Sequence, residues 1–374
     1  MSTPKDQQAT AKQQVLISGA SFAGLATAWW MHRMGYAVTV VELAADLRKG
    51  GTPVDIRDDV IAIVERMGLL EQIAAKGLPP RSFEMLQADG TSVARIEAEQ
   101  NGGPARPGWE IERDDLLDLL YERVRGNVTF RFNDSIAAVQ QFETGVDVEF
   151  KSGERGSYSL LFGCDGTHSA VRRLCFGPES DYLHFMGMYF SLSVVRKELL
   201  EPNSSQMVNM PGKVIMLNGY ADKSDVGLCF ASDEEISYDR RDVQQQRQMI
   251  TKYFEGESWR TPELLAEMWH CENFYFDKLC QIRMPSWTKG RVALVGDAGY
   301  CPSPAAGLGG SIALLGAAAL ADAMAKHPDD LDAAFAEYNT SFRPFVDRIQ
   351  ATAVKQAYRM LNPSAEGVMP WEEE

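Results

Sequence analysis

No apolar stretch of this chain approaches the roughly 20 residues that cross a bilayer, and the polar start, Met1 to Gln14, lacks the apolar core of a signal peptide. A cytoplasmic protein with no membrane partner is expected. Dense Lys/Arg runs are also missing, with 37 basic residues against 52 acidic ones and a net charge of −15. Nucleic acid is excluded as a partner, because binding its phosphates needs a clustered basic surface. Histidine is scarce, at 5 residues, and the 6 cysteines (Cys164, Cys175, Cys229, Cys271, Cys280, Cys301) form no C-x-x-C pair and no zinc spacing with those histidines. No metal site is expected, and the thiols should be reduced and mostly buried. Internal repeats and low-complexity segments are absent as well. At 374 residues the chain can still bury a large core and form two domains.

What is present is a pair of glycine turns at opposite ends. Near the start, the apolar run Val15 to Ser18 enters Gly19-Ala20-Ser21-Phe22-Ala23-Gly24, a helix is predicted over Leu25 to Met34, and the next apolar run, Ala37 to Val41, ends on Glu42. This is the strand, turn, helix, strand, acid order of a dinucleotide fold, with the acid about 20 residues past the turn where a ribose 2′-OH requires it. It departs from G-x-G-x-x-G at one place, where Ser21 replaces the middle glycine. Near the other end, Gly290 to Val295 forms an apolar strand running into Gly296-Asp297, then a loop punctuated by Pro302 and Pro304, then Gly307, Gly309 and Gly310 opening a helix over Ser311 to Met324. Asp297 could accept hydrogen bonds from sugar-type hydroxyls, and N–H groups of the glycine-opened helix could face a group that becomes negative.

Between them, a helix over Leu116 to Val124 follows the segment beginning at Trp109, and strands near Val128 to Phe130 and Val146 to Phe150 alternate polar with apolar residues. Leu160 to Gly163 runs into Cys164-Asp165-Gly166, with helix signals from Ala170. From Asp181 to Pro285 the pattern changes to strands, at Tyr189 to Val195, Lys213 to Leu217, Val226 to Ala231 and Phe274 to Arg283, with helical inserts over Val243 to Phe254 and Pro262 to Trp269. This reads as an antiparallel sheet inserted into the nucleotide domain. Ala333 to Leu361 reads as closing helix, interrupted near Pro344, before an acidic tail at Glu372 to Glu374.

Taken in order, the glycine turn with Glu42, the Gly163-Cys164-Asp165-Gly166 segment with Ser169, Val171 and Arg172, and the Gly296-Asp297 segment with Pro304, Gly307 and Gly309 resemble the single-component (group A) FAD-dependent aromatic monooxygenases, such as p-hydroxybenzoate hydroxylase and the tetracycline-inactivating enzymes. The resemblance implies an α/β fold: a Rossmann-like FAD-binding domain (14–78, 104–178 and 286–340), an inserted mixed or antiparallel substrate-binding sheet (79–103 and 179–285) and a C-terminal helical segment (341–374). It implies that Gly19, Ser21, Ala23 and Gly24 hold the FAD pyrophosphate, Glu42 the adenosine ribose, Arg113 the ribityl or phosphate region, and Gly296 and Asp297 the ribityl chain. Asp165 and Gly166 would serve both FAD and NADPH or NADH. Asp55 and Arg57 lie in a stretch, Gly51 to Arg57, resembling one that lines the flavin. Pro304, Gly307, Leu308 and Gly309 would stand beside the isoalloxazine ring, although family members often carry Gln and Asn where this chain has Leu308 and Ser311. No catalytic side chain is singled out. The implied reaction inserts one oxygen atom from O₂, through a C4a-hydroperoxyflavin, into an aromatic or polycyclic small molecule of tetracycline or polyketide type.

Each marker also has a plainer reading. Asp165-Gly166 fits a tight turn with an Asx cap. Arg172 and Arg173 fit a solvated helix face, His168 a structural role, and Cys301 a small core residue. Met186, Met188, Phe190 and Met216 share a strand face and fit either a substrate chamber or plain core. At the level of function, a flavin oxidase or reductase without oxygen insertion, or a non-catalytic flavin-binding sensor, uses the same cofactor motifs.

Overall fold

The structure, a computed structural model, describes residues 12–98 and 108–361. The first eleven residues of the polar start and the acidic tail lie outside them. The nucleotide sheet has six strands in the order Thr288–Lys289, Val292–Leu294, Leu160–Gly163, Gln14–Ser18, Ala37–Val41, Thr129–Arg131, parallel except for the first pair. Its central strand, Gln14–Ser18, carries three residues with no exposed surface, Val15, Leu16 and Ile17. That continuous apolar run is what a strand covered on both faces requires. The helix Phe22–Arg33 follows it and begins at Phe22, three residues before its predicted start. The glycine-opened helix Gly309–Lys326 packs against it.

A second sheet of seven strands runs Asn273–Ile282, Leu183–Val195, Ser224–Ala231, Lys213–Gly219, Ser204–Met210, Ser82–Leu86, Ser92–Ile96. It is antiparallel apart from the parallel pairing of Ser204–Met210 with Ser82–Leu86. The strands Ser82–Leu86 and Ser92–Ile96 therefore join the sheet of the later insertion, while residues 99–103 lie outside the described residues. Leu183–Val195 begins six residues before its predicted start, with a register shift between Phe185 and Met188 at Gly187, whose φ is 74°. The helices Val243–Phe254 and Thr261–His270 bury Ile250, Phe254, Leu264 and Met268 against one face, on Tyr189, Leu228 and Phe230.

The closing helix, Leu331–Leu361, corrects the expectation of a break at Pro344: it runs through 31 residues with the proline inside. Proline removes one ladder hydrogen bond and crowds the carbonyl four residues back. Here Phe342 and Val346 on either side are buried, and the Phe342 ring lies 6.1 Å from Trp287 and 5.5 Å from Tyr300. Burial of those side chains outweighs the lost bond.

Candidate active site

The turn after Gln14–Ser18 places Ser21 at the N-cap of Phe22–Arg33, yet its side chain makes no capping hydrogen bond. The first N–H groups of the helix are left open, at the positive end of its dipole. Arg113, first residue of the helix Arg113–Val124, reaches the same place: its Nη2 is 3.4 Å from Ser21 Oγ, and its Nη1 donates to the carbonyls of Arg48 and Gly50, each at 3.0 Å. Gly19 and Gly24 are demanded by the turn itself. A Cβ on Gly24 would come 1.9 Å from Gly19 O, and one on Gly19 would lie 2.5 Å from Cys164 O. Ala23, between them, is buried against Gly296. Glu42 closes the turn, its carboxylate accepting from Ala20 N at 2.8 Å and Ala44 N at 2.9 Å.

Gly296, at φ 69°, turns the chain from Val292–Leu294 into the short helix Asp297–Tyr300. Asp297 Oδ1 is buried with no hydrogen-bond partner, and burial pushes the carboxyl up to about 6. A buried acceptor left without a donor is costly. Beyond it the loop Pro304–Ala306 and Gly307, in the left-handed region, leave Pro304, Gly307 and Gly309 exposed around the start of Gly309–Lys326. Leu308 sits at the N-cap of that helix and offers no capping side chain. Ser311 Oγ donates to Asp55 O at 2.8 Å, joining this loop to the strand Val54–Arg57, where Arg57 Nε pairs with Asp55 Oδ1 at 2.9 Å.

Asp165 is a helix cap in this structure. Its carboxylate accepts from Ser169 Oγ, from Ala170 N at 2.8 Å and from Val171 N at 3.1 Å, and burial raises its pKa against the pull of those bonds. Gly166, at φ 79°, has nothing within 4 Å of where a Cβ would stand. The solvated-face reading holds for Arg173, which is exposed, and fails for Arg172. Arg172 has no exposed surface, donates to Ala298 O and Thr167 O and pairs with Glu179 at 3.0 Å, because the helix Ala170–Cys175 turns that side chain into the core behind Asp297. His168 bridges Glu179 at 3.0 Å and Asp277 at 3.2 Å. Burial alone would depress its pKa; the hydrogen bonds and charges of Asp277 and Glu179 outweigh burial and raise it. Cys301 is buried, accepts from Thr167 Oγ1 and is held well above its ordinary pKa by burial, in keeping with a core thiol.

The second face of the seven-stranded sheet turns toward this loop. Phe83, Met85, Met188, Met207, Val214, Cys229 and Leu279 form one apolar cluster, with Met186, Phe190, Met216, Met360 and Ala305 partly open against it. Ala305 is a residue of the Pro304–Ala306 loop, and Met360 belongs to the closing helix. Sequence reasoning found Met186, Met188, Phe190 and Met216 but missed Met85, Met207 and Met360. It also missed Asp225, which has no exposed surface and no hydrogen bond to either oxygen and whose carboxyl burial raises to about 6. Nearby, Lys223 pairs with Glu112 at 2.8 Å, and Arg81 holds Glu110 at 2.5 Å and Tyr220 Oη at 2.9 Å, fastening the sheet to the cofactor half. A cleft under the closing helix, lined by Trp287, Arg343 and Asp347, shares none of the predicted site residues.

A family model described as an FAD binding domain matches residues 12–352. A flavin-dependent monooxygenase of Legionella longbeachae is 33% identical over 343 residues, covering 91% of this chain and 88% of its own length. This chain is a flavin-dependent monooxygenase of the FAD-binding-domain family. An uncharacterized Mycobacterium tuberculosis protein is 38% identical over 342 residues, covering 90% of this chain and 91% of that one. The crystal structure of tetracycline destructase Tet(51) superposes with a TM-score of 0.84 at 32% identity, over 95% of this chain and 93% of that chain. The monooxygenase's own residues fit FAD: an uncapped helix start beside a guanidinium suits a pyrophosphate, and the orphaned Asp297 Oδ1 suits a hydroxyl donor. Among the described residues no helix is long and apolar enough to cross a membrane, and no cluster of His, Cys, Asp or Glu could hold a metal ion.

Proposed function

We propose that this monooxygenase uses NADPH or NADH and O₂ to insert one oxygen atom into an aromatic or polycyclic small molecule of tetracycline or polyketide type. FAD supplies the chemistry when bound, accepting a hydride from the nicotinamide and passing one atom of O₂ to the substrate. The chain's part is to bind, orient and exclude water. Arg113 and the open N–H groups at Phe22 would neutralise the pyrophosphate, with Gly19, Ser21, Ala23 and Gly24 leaving the backbone close to it. Glu42 would take the adenosine ribose, and Asp297, next to Gly296, a ribityl hydroxyl. Asp55 and Arg57 would flank the ring from the strand beside Ser311. Gly166, open beside Asp165, would meet the nicotinamide dinucleotide. The start of Gly309–Lys326, with Pro304, Gly307 and Leu308, would direct N–H groups at negative charge on the reduced ring.

The observation that carries the reading is Ala305. The loop assigned to the flavin ring packs, through that residue, into the same apolar cluster as the methionine-rich sheet face. A substrate lying there would sit between ring and sheet, in surroundings that keep water from the reacting oxygen. Purified protein should be yellow, oxidise NADPH faster when a phenolic or polycyclic substrate is added, and give a product heavier by one ¹⁸O when run under ¹⁸O₂. Stimulated NADPH oxidation with hydrogen peroxide as the sole oxygen product would point instead to an oxidase or reductase. No reduction at all would point to a sensor.

A further inference from the structure

The strand register arranges the chamber face in rows. Leu192 stands opposite Gly227, Gly227 opposite Met216, Met216 opposite Met207, Met207 opposite Met85 and Met85 opposite Ala94. This central row crosses six strands without one ionisable side chain. The row on one side, Phe190, Cys229, Val214 and Asn209, is uncharged over those four strands and reaches an acid, Asp277, only on the edge strand. Asn209 Nδ2 donates to Met360 O at 2.9 Å, while its Oδ1 is buried without a partner. The row on the other side holds one acid, Asp225, which has no exposed surface. Asp277, across from Phe190, has its oxygens taken by His168, Tyr238 and Tyr275. Gly227 makes room for its neighbours: a Cβ there would meet Met216 Cε at 3.0 Å and Phe190 Cε2 at 3.3 Å, so those two side chains lie across the glycine.

We infer that the substrate is an uncharged, lipophilic polycyclic molecule, and that this sheet face selects against ionised groups on it. The inference rests on the monooxygenase reading and narrows it. A carboxylate or ammonium laid on the central row would lose its water and find no countercharge, and burial of an unpaired charge is strongly unfavourable. Thioether side chains are flexible and polarisable, so they adapt to the outline of a ring system. Selection on this face is therefore by charge, with wide tolerance of shape. Within the tetracycline or polyketide type, neutral phenols fall on the accepted side and members that carry charge near neutral pH on the rejected side.

Calorimetric titration of the FAD-loaded protein at pH 7.5 with 2-naphthol and with 6-hydroxy-2-naphthoate tests this, because the two share a phenolic ring system and differ by one carboxylate. Naphthol should bind at least about tenfold more tightly, the ratio set by roughly 1.4 kcal/mol of uncompensated desolvation. Equal or tighter binding of the naphthoate, or no binding of naphthol, overturns the inference. Met216→Arg supplies the missing countercharge and should raise affinity for the naphthoate severalfold while the flavin stays bound. No gain in a variant with normal flavin absorbance removes the row from the ligand's surroundings, and if the variant fails to fold the wild-type titration decides alone. Selective binding of naphthol without its oxygenation would sink the proposed reaction and leave the substrate class standing. Oxygenation of the naphthoate and not of naphthol would do the reverse.

Discussion

Asp297 is a buried acceptor waiting for a donor, and its titration gives that arrangement a sign. A carboxyl raised to about 6 in the folded chain is held toward its neutral form, whereas hydroxyl donors favour the charged form. FAD affinity should therefore rise as pH increases from 5 to 7.5, and in Asp297→Ala that pH dependence should vanish along with on the order of 1–3 kcal/mol of binding. Flavin fluorescence titrations at the two pH values measure both effects, and an unchanged affinity in the variant would remove Asp297 from the cofactor's surroundings. Asp225 presents the same shift without a proposed ligand. Its raised pKa means the folded state favours the proton, so its contribution to stability is fully present below the ordinary 3.8 and lost as pH rises through about 6. Asp225→Asn stays neutral throughout and should stabilise by on the order of 2 kcal/mol at pH 7 but not at pH 4. Thermal melts at both pH values check this, and a gain of equal size at pH 4 would mean that charge is not the cause. Asp297 was legible in the sequence because it ends an apolar run and precedes a glycine loop. Asp225 was not, since its meaning depends on Val194 and Asn218 standing across from it in a sheet.

Elements were readable where their hydrophobic period was strong, as in Ala37–Val41, whose bounds agree with the expectation. They were unreadable where pairing rather than composition makes the strand. Ser204–Met210 is polar enough to pass for a loop and becomes a strand by lying between Lys213–Gly219 and Ser82–Leu86. Missing it also hid Met207 from the apolar cluster that Ala305 joins. The turn Cys164-Asp165-Gly166 was legible as a motif, but the connection from His168 to the strand Asn273–Ile282 was not, because its partners are distant in sequence. That connection has a testable cost. With the folded pKa above the ordinary 6.5, the stability that His168 contributes through Glu179 and Asp277 is complete below pH 6.5 and fades as pH rises through the folded value. His168→Ala should destabilise by about 1 kcal/mol at pH 6, discounted for partial exposure, and by less at pH 9. Urea melts of both proteins at the two pH values would show it, and a loss independent of pH would assign His168 to packing alone.

At the scale of the molecule, two sheets share a boundary fastened by ion pairs from Lys223 and Arg81 and roofed by a closing helix that continues through proline. Strands of the second sheet were legible in the change of pattern after Asp181. That Ser82–Leu86 and Ser92–Ile96 join the second sheet was expected only through resemblance, since residues alone do not announce a parallel partner more than a hundred positions away. The order of strands in the nucleotide sheet has a further consequence. Val292–Leu294 inserts beside Leu160–Gly163, which itself lies beside Gln14–Ser18, so the sheet stays unfinished until synthesis has passed Leu294. The uncapped helix start at Phe22 is made early, whereas Asp297 emerges late. Under the proposed assignment the pyrophosphate contacts can form early and those of Asp297 last, so stable flavin uptake should follow synthesis of the Gly296-Asp297 segment.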